Sequence, residues 1–287
     1  MADKKLNEIQ IRDPFILADE KSKTYYMYGT TAPAIGYPCL GFHCWKSSDL
    51  QNWNGPYTVF VPSENFWADR DFWAAEVHIY RGRYYLFGSC KAEDKCRATH
   101  IFVSDSPCGP FVPVSDKPAT PEEWEALDGT LYIEDGTPYI VFCHEWKQVE
   151  DGEMVSLQLD CDLKNVISAP QLLFRASDAP WTRTFERDGK KHNRITDGPF
   201  LFNYNGRLLM LWSSKGPEGC GGYATGYAES VSGKLCGPWK HHDKLIFSDN
   251  GGHGMVFKGF DGKLYCTLHQ PNQPPPSHPL IFELPGL

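Results

Sequence analysis

The sequence predicts an all-β protein: a five-bladed β-propeller with four-stranded antiparallel blades around a central channel, taking up residues 1–287 as one domain. Three observations predict it. Short apolar runs separated by turn dipeptides recur along a chain with 26 glycines, 22 prolines and 14% aromatic residues, and helical periodicity is nearly absent. A polar residue, an apolar strand, a tight turn and a second apolar strand occur together five times. The opening residues of these units stand 63, 52, 69 and 56 positions apart, the length that a four-stranded blade with variable loops requires.

The first unit runs from Asp13-Pro14-Phe15-Ile16 to Tyr26-Met27-Tyr28-Gly29 around the looser turn Glu20–Lys23. The second runs from Glu76-Val77-His78-Ile79 through Arg81-Gly82 to Tyr85-Leu86-Phe87-Gly88, with further strands at 101–105 and 111–114. Thr120-Pro121-Glu122-Glu123 is a single N-capped turn. The third unit joins Asp128-Gly129-Thr130-Leu131 to Ile140-Val141-Phe142 through Asp135-Gly136. The fourth joins Asp197-Gly198-Pro199-Phe200 to Met210-Leu211-Trp212-Ser213 through Asn205-Gly206, and continues at 223–227 and Trp239. The fifth joins His253-Gly254-Met255-Val256 to 265–268 through Asp261-Gly262, with a third strand at 280–284. The turn dipeptides suit two-residue hairpins or their bulged relatives, because Gly and Asn tolerate the positive φ that such turns need. Residues 6–11 are expected to complete the fifth sheet as a strand and close the ring.

Composition narrows the function. Lys and Arg total 28 against 36 Asp and Glu, a net charge of −8, which leaves no electrostatic footprint for nucleic acid and favours a neutral or cationic partner such as a small oligosaccharide. No apolar run approaches the length of a membrane span, so no membrane partner is expected. The stretch 1–8 lacks an apolar core, and a cytoplasmic location is the expectation. The ten cysteines are scattered without a CxxC pair, which reads as reduced, buried thiols. His43, His78 and His144 lack metal-ligand spacing, and Gly219–Gly222 lacks the Lys-Ser/Thr of a phosphate loop. Nothing in the sequence speaks to oligomeric state.

In a propeller the first strand of each blade is innermost, so its opening residue sits beside the channel at one face of the disc. Asp13, Glu76, Asp128, Asp197 and His253 should therefore converge. Carboxylates gathered this way repel one another and separate their pKa values, as a proton donor and a proton acceptor require. The second strand returns to the same face, which adds Glu145, just after 140–142.

These residues resemble glycoside hydrolase family 43: Arg12-Asp13-Pro14-Phe15, Trp73-Ala74-Ala75-Glu76-Val77-His78, Leu127-Asp128-Gly129-Thr130, Thr196-Asp197-Gly198-Pro199 and Gly252-His253-Gly254, in that order along nearly the whole chain. The resemblance implies inverting release of terminal pentosyl groups, α-L-arabinofuranosyl foremost, with β-xylosyl or galactan substrates as alternatives. It implies Asp13 as general base and Asp128 as the carboxylate that positions the acid and raises its pKa. His253 would face a central metal, a calcium ion for instance, or a water; no cofactor is required. The family usually has Glu where this chain has Asp197, a side chain shorter by one bond of about 1.5 Å. Asp197 is favoured as acid by position, with Glu145 close behind and Glu186 and Glu76 as weaker options.

Sugar binding also needs an aromatic platform, since a sugar ring has an apolar face. Trp73, Trp146, Phe15 and Phe72 flank the expected mouth, and Arg70, Arg183, His269 and Asn272 are hydroxyl ligands to test. The loops 31–41 and 177–196 should shape the walls. An invertase-type furanosidase shares Arg12-Asp13-Pro14, but its other motifs are missing, and a propeller that binds sugar without hydrolysis is the alternative outside enzymology.

Overall fold

The computed structural model describes residues 3–31, 40–187 and 189–287. The first blade comprises β1 (Arg12–Asp19), β2 (Thr24–Thr30), β3 (Phe42–Ser47) and β4 (Asn54–Phe60), paired in sequence order. The second comprises β5 (Arg70–Tyr80), β6 (Arg83–Lys91), β7 (Ala98–Ser104) and β8 (Val112–Pro113). The third comprises β9 (Ala126–Glu134), β10 (Thr137–His144), β11 (Glu153–Gln158) and β12 (Gln171–Arg175), with the one-turn helix α1 (Trp146–Val149) after β10. A separate hairpin of β13 (Phe185–Arg187) and β14 (Lys190–His192) precedes the fourth blade. That blade comprises β15 (Asp197–Tyr204), β16 (Arg207–Ser214), β17 (Ala224–Ser230) and β18 (Trp239–His241), and the fifth β19 (Gly252–Lys258), β20 (Leu264–Gln270) and β21 (His278–Glu283).

The first strands form the inner ring: β1 touches β5, β5 touches β9, β9 touches β15, β15 touches β19, and β19 returns to β1. This is the expected five-bladed propeller. The expected hairpin chemistry holds at Arg81-Gly82, Asp135-Gly136 and Asn205-Gly206, where both central residues have positive φ, as a two-residue turn matching strand twist demands. Residues 6–11 differ from expectation. Leu6–Glu8 form a 3-10 turn instead of a strand, and Ile9 and Ile11 lie alongside β21. Ile11 N donates to Ser277 O at 3.1 Å, and the Ile9 carbonyl lies 2.9 Å from His278 Nδ1. The segment closes the fifth blade against the first by these bonds and by two buried isoleucines.

The core lies mostly between blades. Phe42 of the first blade meets Phe72 and Phe102 of the second edge-on at 5.5 and 5.7 Å. A Cβ on Gly88 would fall 2.2 Å from the Phe42 ring, so only glycine lets that ring lie on the β6 backbone. Trp212 on β16 is wholly buried against Phe174 of the third blade and against Trp181. Burying each such aromatic contributes about 1.5–3 kcal/mol, and these layers lock neighbouring blades into one disc. No helix among the described residues is long and apolar enough to cross a membrane.

Candidate active site

Each inner strand is bulged near its start, and the bulge is equivalent in all five blades. The register pairs Arg12 with Thr30, Trp73 with Ser89, Leu127 with Cys143, Asp197 with Ser213 and Gly252 with His269. The next residue in each blade has positive φ: Asp13 (54°), Ala74 (47°), Asp128 (59°), Gly198 (53°) and His253 (51°). Such a conformation costs a non-glycine residue of order 1–3 kcal/mol, and a bulge re-aims the side chain that it carries. Here it turns Asp13, Asp128 and His253 toward the axis.

Neighbouring blades hold the strained residues in place. The Ala74 N–H donates to Thr30 Oγ1, the Asp128 N–H to Ser89 Oγ and the His253 N–H to Ser213 Oγ, each at 2.8 Å. The Asp13 N–H donates to His269 Nδ1 at 3.1 Å. The fourth blade differs: Cys143 occupies the acceptor position, and the Gly198 N–H lies 3.3 Å from Asp128 Oδ2 instead. A Cβ on Gly198 would come within 2.7 Å of the His253 ring, so this glycine admits the imidazole to the centre.

The centre is one imidazole among three carboxylates. His253 Nδ1 lies 3.3 Å from Asp13 Oδ1, 3.7 Å from Asp128 Oδ2 and 3.6 Å from Asp197 Oδ1. Asp13 is further held by Thr30 Oγ1, which donates to Oδ2 at 2.6 Å, and His269 Nδ1, the acceptor of the Asp13 N–H, lies 3.3 Å from Oδ1. Burial alone would raise the Asp13 carboxyl, but His253, His269 and Arg12 outweigh it and hold the group well below the ordinary carboxylate range. Burial would likewise neutralise His253, yet the three carboxylates push it up to about 10. Asp128 is raised by burial and by its neighbours Asp197 and Asp13, against the pull of His253. For Asp197 burial is outweighed by the hydrogen bond with Asp128 and by His253, so it is lowered, and the Tyr223 hydroxyl donates to its Oδ2.

The pit above this cluster is lined by Arg12, Asp13, Asp128, Asp197 and His253 below, and by Trp73, Glu145 and Trp146 at its walls. Glu145 ends the return of β10 and is 8% exposed. Lys147 Nζ lies 2.9 Å from its Oε1, while Oε2 is buried with no hydrogen-bond partner among the described residues. Trp146 is fixed edge-on against Phe185 and His192 of the β13–β14 hairpin, at 4.9 and 4.7 Å. Arg97 stacks on Trp73 with its guanidinium carbon 3.7 Å from the ring centroid.

Several expected residues lie elsewhere. Glu76 does not open the second blade's share of the pit: Ala74 takes that position, two residues earlier, and Glu76 is buried 3.0 Å from His78 Nε2. Phe15 packs edge-on against His78 and Phe200, outside the pit, and Phe72 belongs to the interblade core. Arg70 pairs with Asp69 on the surface, and Arg183 with Glu218. His269 and Asn272 sit behind the pit: Asn272 Oδ1 accepts from Arg12 Nη2 at 2.7 Å and lies 3.1 Å from His269 Nε2. Glu186 is an exposed residue of β13, and it does not line the pit. The loop expected at 31–41 falls largely on 32–39, outside the described residues, whereas Ile195 and Thr196 of the second wall loop do line the pit. Thr30 and Tyr223 were not singled out by sequence, although strand-end geometry could have found both, since β2 ends and β17 starts at this face.

Asp128, Asp197 and His253 each offer one ligand atom, all within 4.8 Å of one another. Two carboxylates and a ring nitrogen suit a divalent cation that keeps several waters, and are few for calcium, which takes six to eight oxygens.

The chain matches the family model described as Glycosyl hydrolases family 43 over residues 6–281. Its fold is similar to the crystal structure of an endo-arabinase from Bacteroides thetaiotaomicron VPI-5482, with a TM-score of 0.91 and 39% identity, covering 100% of this chain and 98% of that one. It is 26% identical over 206 residues to α-L-arabinofuranosidase 43 of Humicola insolens, covering 66% of this chain and 40% of that protein. It is 26% identical over 271 residues to the extracellular endo-α-(1→5)-L-arabinanase 2 of Bacillus subtilis (strain 168), covering 87% of this chain and 54% of that protein. The chain therefore spans about half or less of the length of these two curated relatives.

Proposed function

The chain belongs to glycosyl hydrolase family 43, and from that premise we propose that it hydrolyses α-L-arabinofuranosyl linkages of small arabinan-derived oligosaccharides, releasing the terminal sugar with inversion. The observation that carries this reading is the meeting of Asp13, Asp128, Asp197 and Glu145 in one pit walled by Trp73 and Trp146. The arabinose-directed names of its relatives support the sugar, and the Trp146 wall that α1 raises and the β13–β14 hairpin backs supports action at a chain end.

In this reading Asp13 is the general base. Its carboxylate is ionised, held by the His253 imidazole and the Thr30 hydroxyl, and accepts a proton from the water that attacks the anomeric carbon. Trp73 and Trp146 offer apolar surface to the sugar ring, and Arg12, anchored by Asn272, presents donors to its hydroxyls. A divalent cation, when bound, would have to displace the protons of Asp128 and His253, and would then be held by these two residues and Asp197.

The test is hydrolysis of arabino-oligosaccharides followed by proton NMR, with Asp13→Asn as the control. Arabinose as the sole early product, in the inverted anomeric form, is expected. Asp13→Asn should lower kcat by roughly 10²–10⁴-fold while a calorimetric titration still registers binding. Mixed short oligomers as first products would instead favour internal cleavage, the reading that similarity to the named endo-arabinase supports. Binding without turnover in the unaltered protein would favour a sugar-binding propeller.

A further inference from the structure

We propose that the proton donor to the leaving group is Glu145, at the end of the third blade's second strand, and that Asp197 is a positioning residue. The inference rests on the hydrolytic reading above.

Asp197 is committed elsewhere. Its Oδ2 takes the Tyr223 hydroxyl and its Oδ1 faces His253. Asp13 and Asp197 also approach the same imidazole nitrogen, at 3.3 and 3.6 Å, so their nearest oxygens are less than about 7 Å apart. An inverting pair needs roughly 6.5–9.5 Å between its carboxyl groups to seat a water and a glycosidic bond. Asp197 therefore sits at or inside the short limit. The missing methylene compounds this, because the carboxyl is drawn down to the axis.

Glu145 has what Asp197 lacks. It lines the pit from the wall, its Oε2 is buried without a partner among the described residues, and an unsatisfied buried oxygen is costly unless another group completes it. Its backbone is fixed: the Glu145 N–H donates to Glu125 O at 2.7 Å, and Trp146 beside it is wedged against Phe185 and His192. Lys147 engages Oε1, which leaves Oε2 as the carboxyl oxygen without a hydrogen bond among the described residues. Glu145 takes up a proton from solvent at Oε2, against the Lys147 ion pair, and passes it to the glycosidic oxygen as that oxygen's bond to the anomeric carbon breaks. The attacking water bonds to the anomeric carbon and gives its proton to Asp13. One water is consumed, and the two carboxyl groups exchange their protonation states and recover through solvent.

The experiment compares Glu145→Gln and Asp197→Asn on two substrates, dinitrophenyl α-L-arabinofuranoside and arabinotriose, with calorimetric binding of arabinotriose to each variant. The activated aryl group leaves without protonation, whereas the sugar alcohol does not. Glu145→Gln should lose roughly 10²–10⁴-fold in kcat on arabinotriose and less than about tenfold on the aryl glycoside, with affinity retained. Asp197→Asn should lose by a similar factor on both. Equal losses in Glu145→Gln, loss of its affinity, or leaving-group asymmetry in Asp197→Asn overturns the assignment. An unaltered protein that turns over neither substrate overturns the hydrolytic reading and this inference with it.

Discussion

The Ser213 hydroxyl accepts the backbone N–H of His253 at 2.8 Å, across the boundary between the fourth and fifth blades. His253 has φ of 51°, and the bond helps to fix this strained residue where three carboxylates meet. Ser213 is wholly buried, and its hydroxyl also lies 2.9 Å from Thr225 Oγ1. Ser213→Ala should therefore cost about 1–3 kcal/mol by urea denaturation, the penalty of an orphaned buried N–H. It should also lower kcat more than it raises KM, because the imidazole drifts. Unchanged stability would show that the N–H finds another acceptor.

Arg97 prepares the Trp73 wall from behind. It is 3% exposed, pairs with Asp71 Oδ2 at 2.9 Å and stacks on the indole, while its Nε and Nη1 have no partner among the described residues. A desolvated cation–π contact is worth about 0.5–2 kcal/mol. Arg97→Met should raise KM for arabino-oligosaccharides by about 2- to 30-fold with kcat nearly kept, since the wall binds ground and transition states alike. Trp73→Ala should raise it further. A fall in kcat alone would refute a binding role.

Cys44 on β3 and Cys108, between β7 and β8, bring their sulfurs within 3.2 Å across the first two blades. The Cys44 thiol is buried, and Cys108 is held down to about 7 by its hydrogen bond to Cys44, against burial, and by Lys46. The Cys108 thiolate can attack glutathione disulfide, and Cys44 can then displace the glutathione, giving one protein disulfide and two glutathione thiols. Mass spectrometry should find a 44–108 cross-link after oxidation. Its absence, with Cys108 carrying only glutathione, would show that the buried partner cannot reach.

How much of this was legible follows from what each signal measures. Asn205-Gly206 and Asp135-Gly136 announce their turns because backbone conformation there depends on local residue type. The inner carboxylates were legible as a group, but not their register. Aligning polar openings put Glu76 and Asp197 level with Asp13, whereas the bulges make Ala74 and Gly198 the equivalents. The shift is two residues at Glu76 and one at Asp197, and a bulge redirects a side chain without altering the sequence of polar and apolar residues around it. Thr30, Ser89 and Ser213 were silent for a related reason: each is a small hydroxyl within an apolar strand, and its meaning lies in the N–H of the next blade.

One buried and one half-buried histidine outside the pit weaken the fold in acid. His100 on β7 is wholly buried among Phe66, Trp67 and Phe102, accepts the Trp67 indole N–H at 3.1 Å on Nδ1, and has no partner on Nε2. His241 on β18 packs against Phe174 and Trp212 with both ring nitrogens unpartnered. Burial drives each down from 6.5 to about 4. The unfolded chain therefore takes up these protons first as pH falls, so the stability they allow is present above about 6.5 and drains away toward 4, where the folded rings also charge. The loss is on the order of 1–3 kcal/mol for each. His253 is raised to about 10, so its contribution has the opposite sign and is complete below 6.5. Comparing variants with the unaltered protein removes that background. Urea denaturation at pH 7.5 and 5.0 should show a smaller drop for His100→Gln, which can still accept from Trp67, and for His241→Phe. An undiminished drop in both variants would mean that other groups govern acid unfolding.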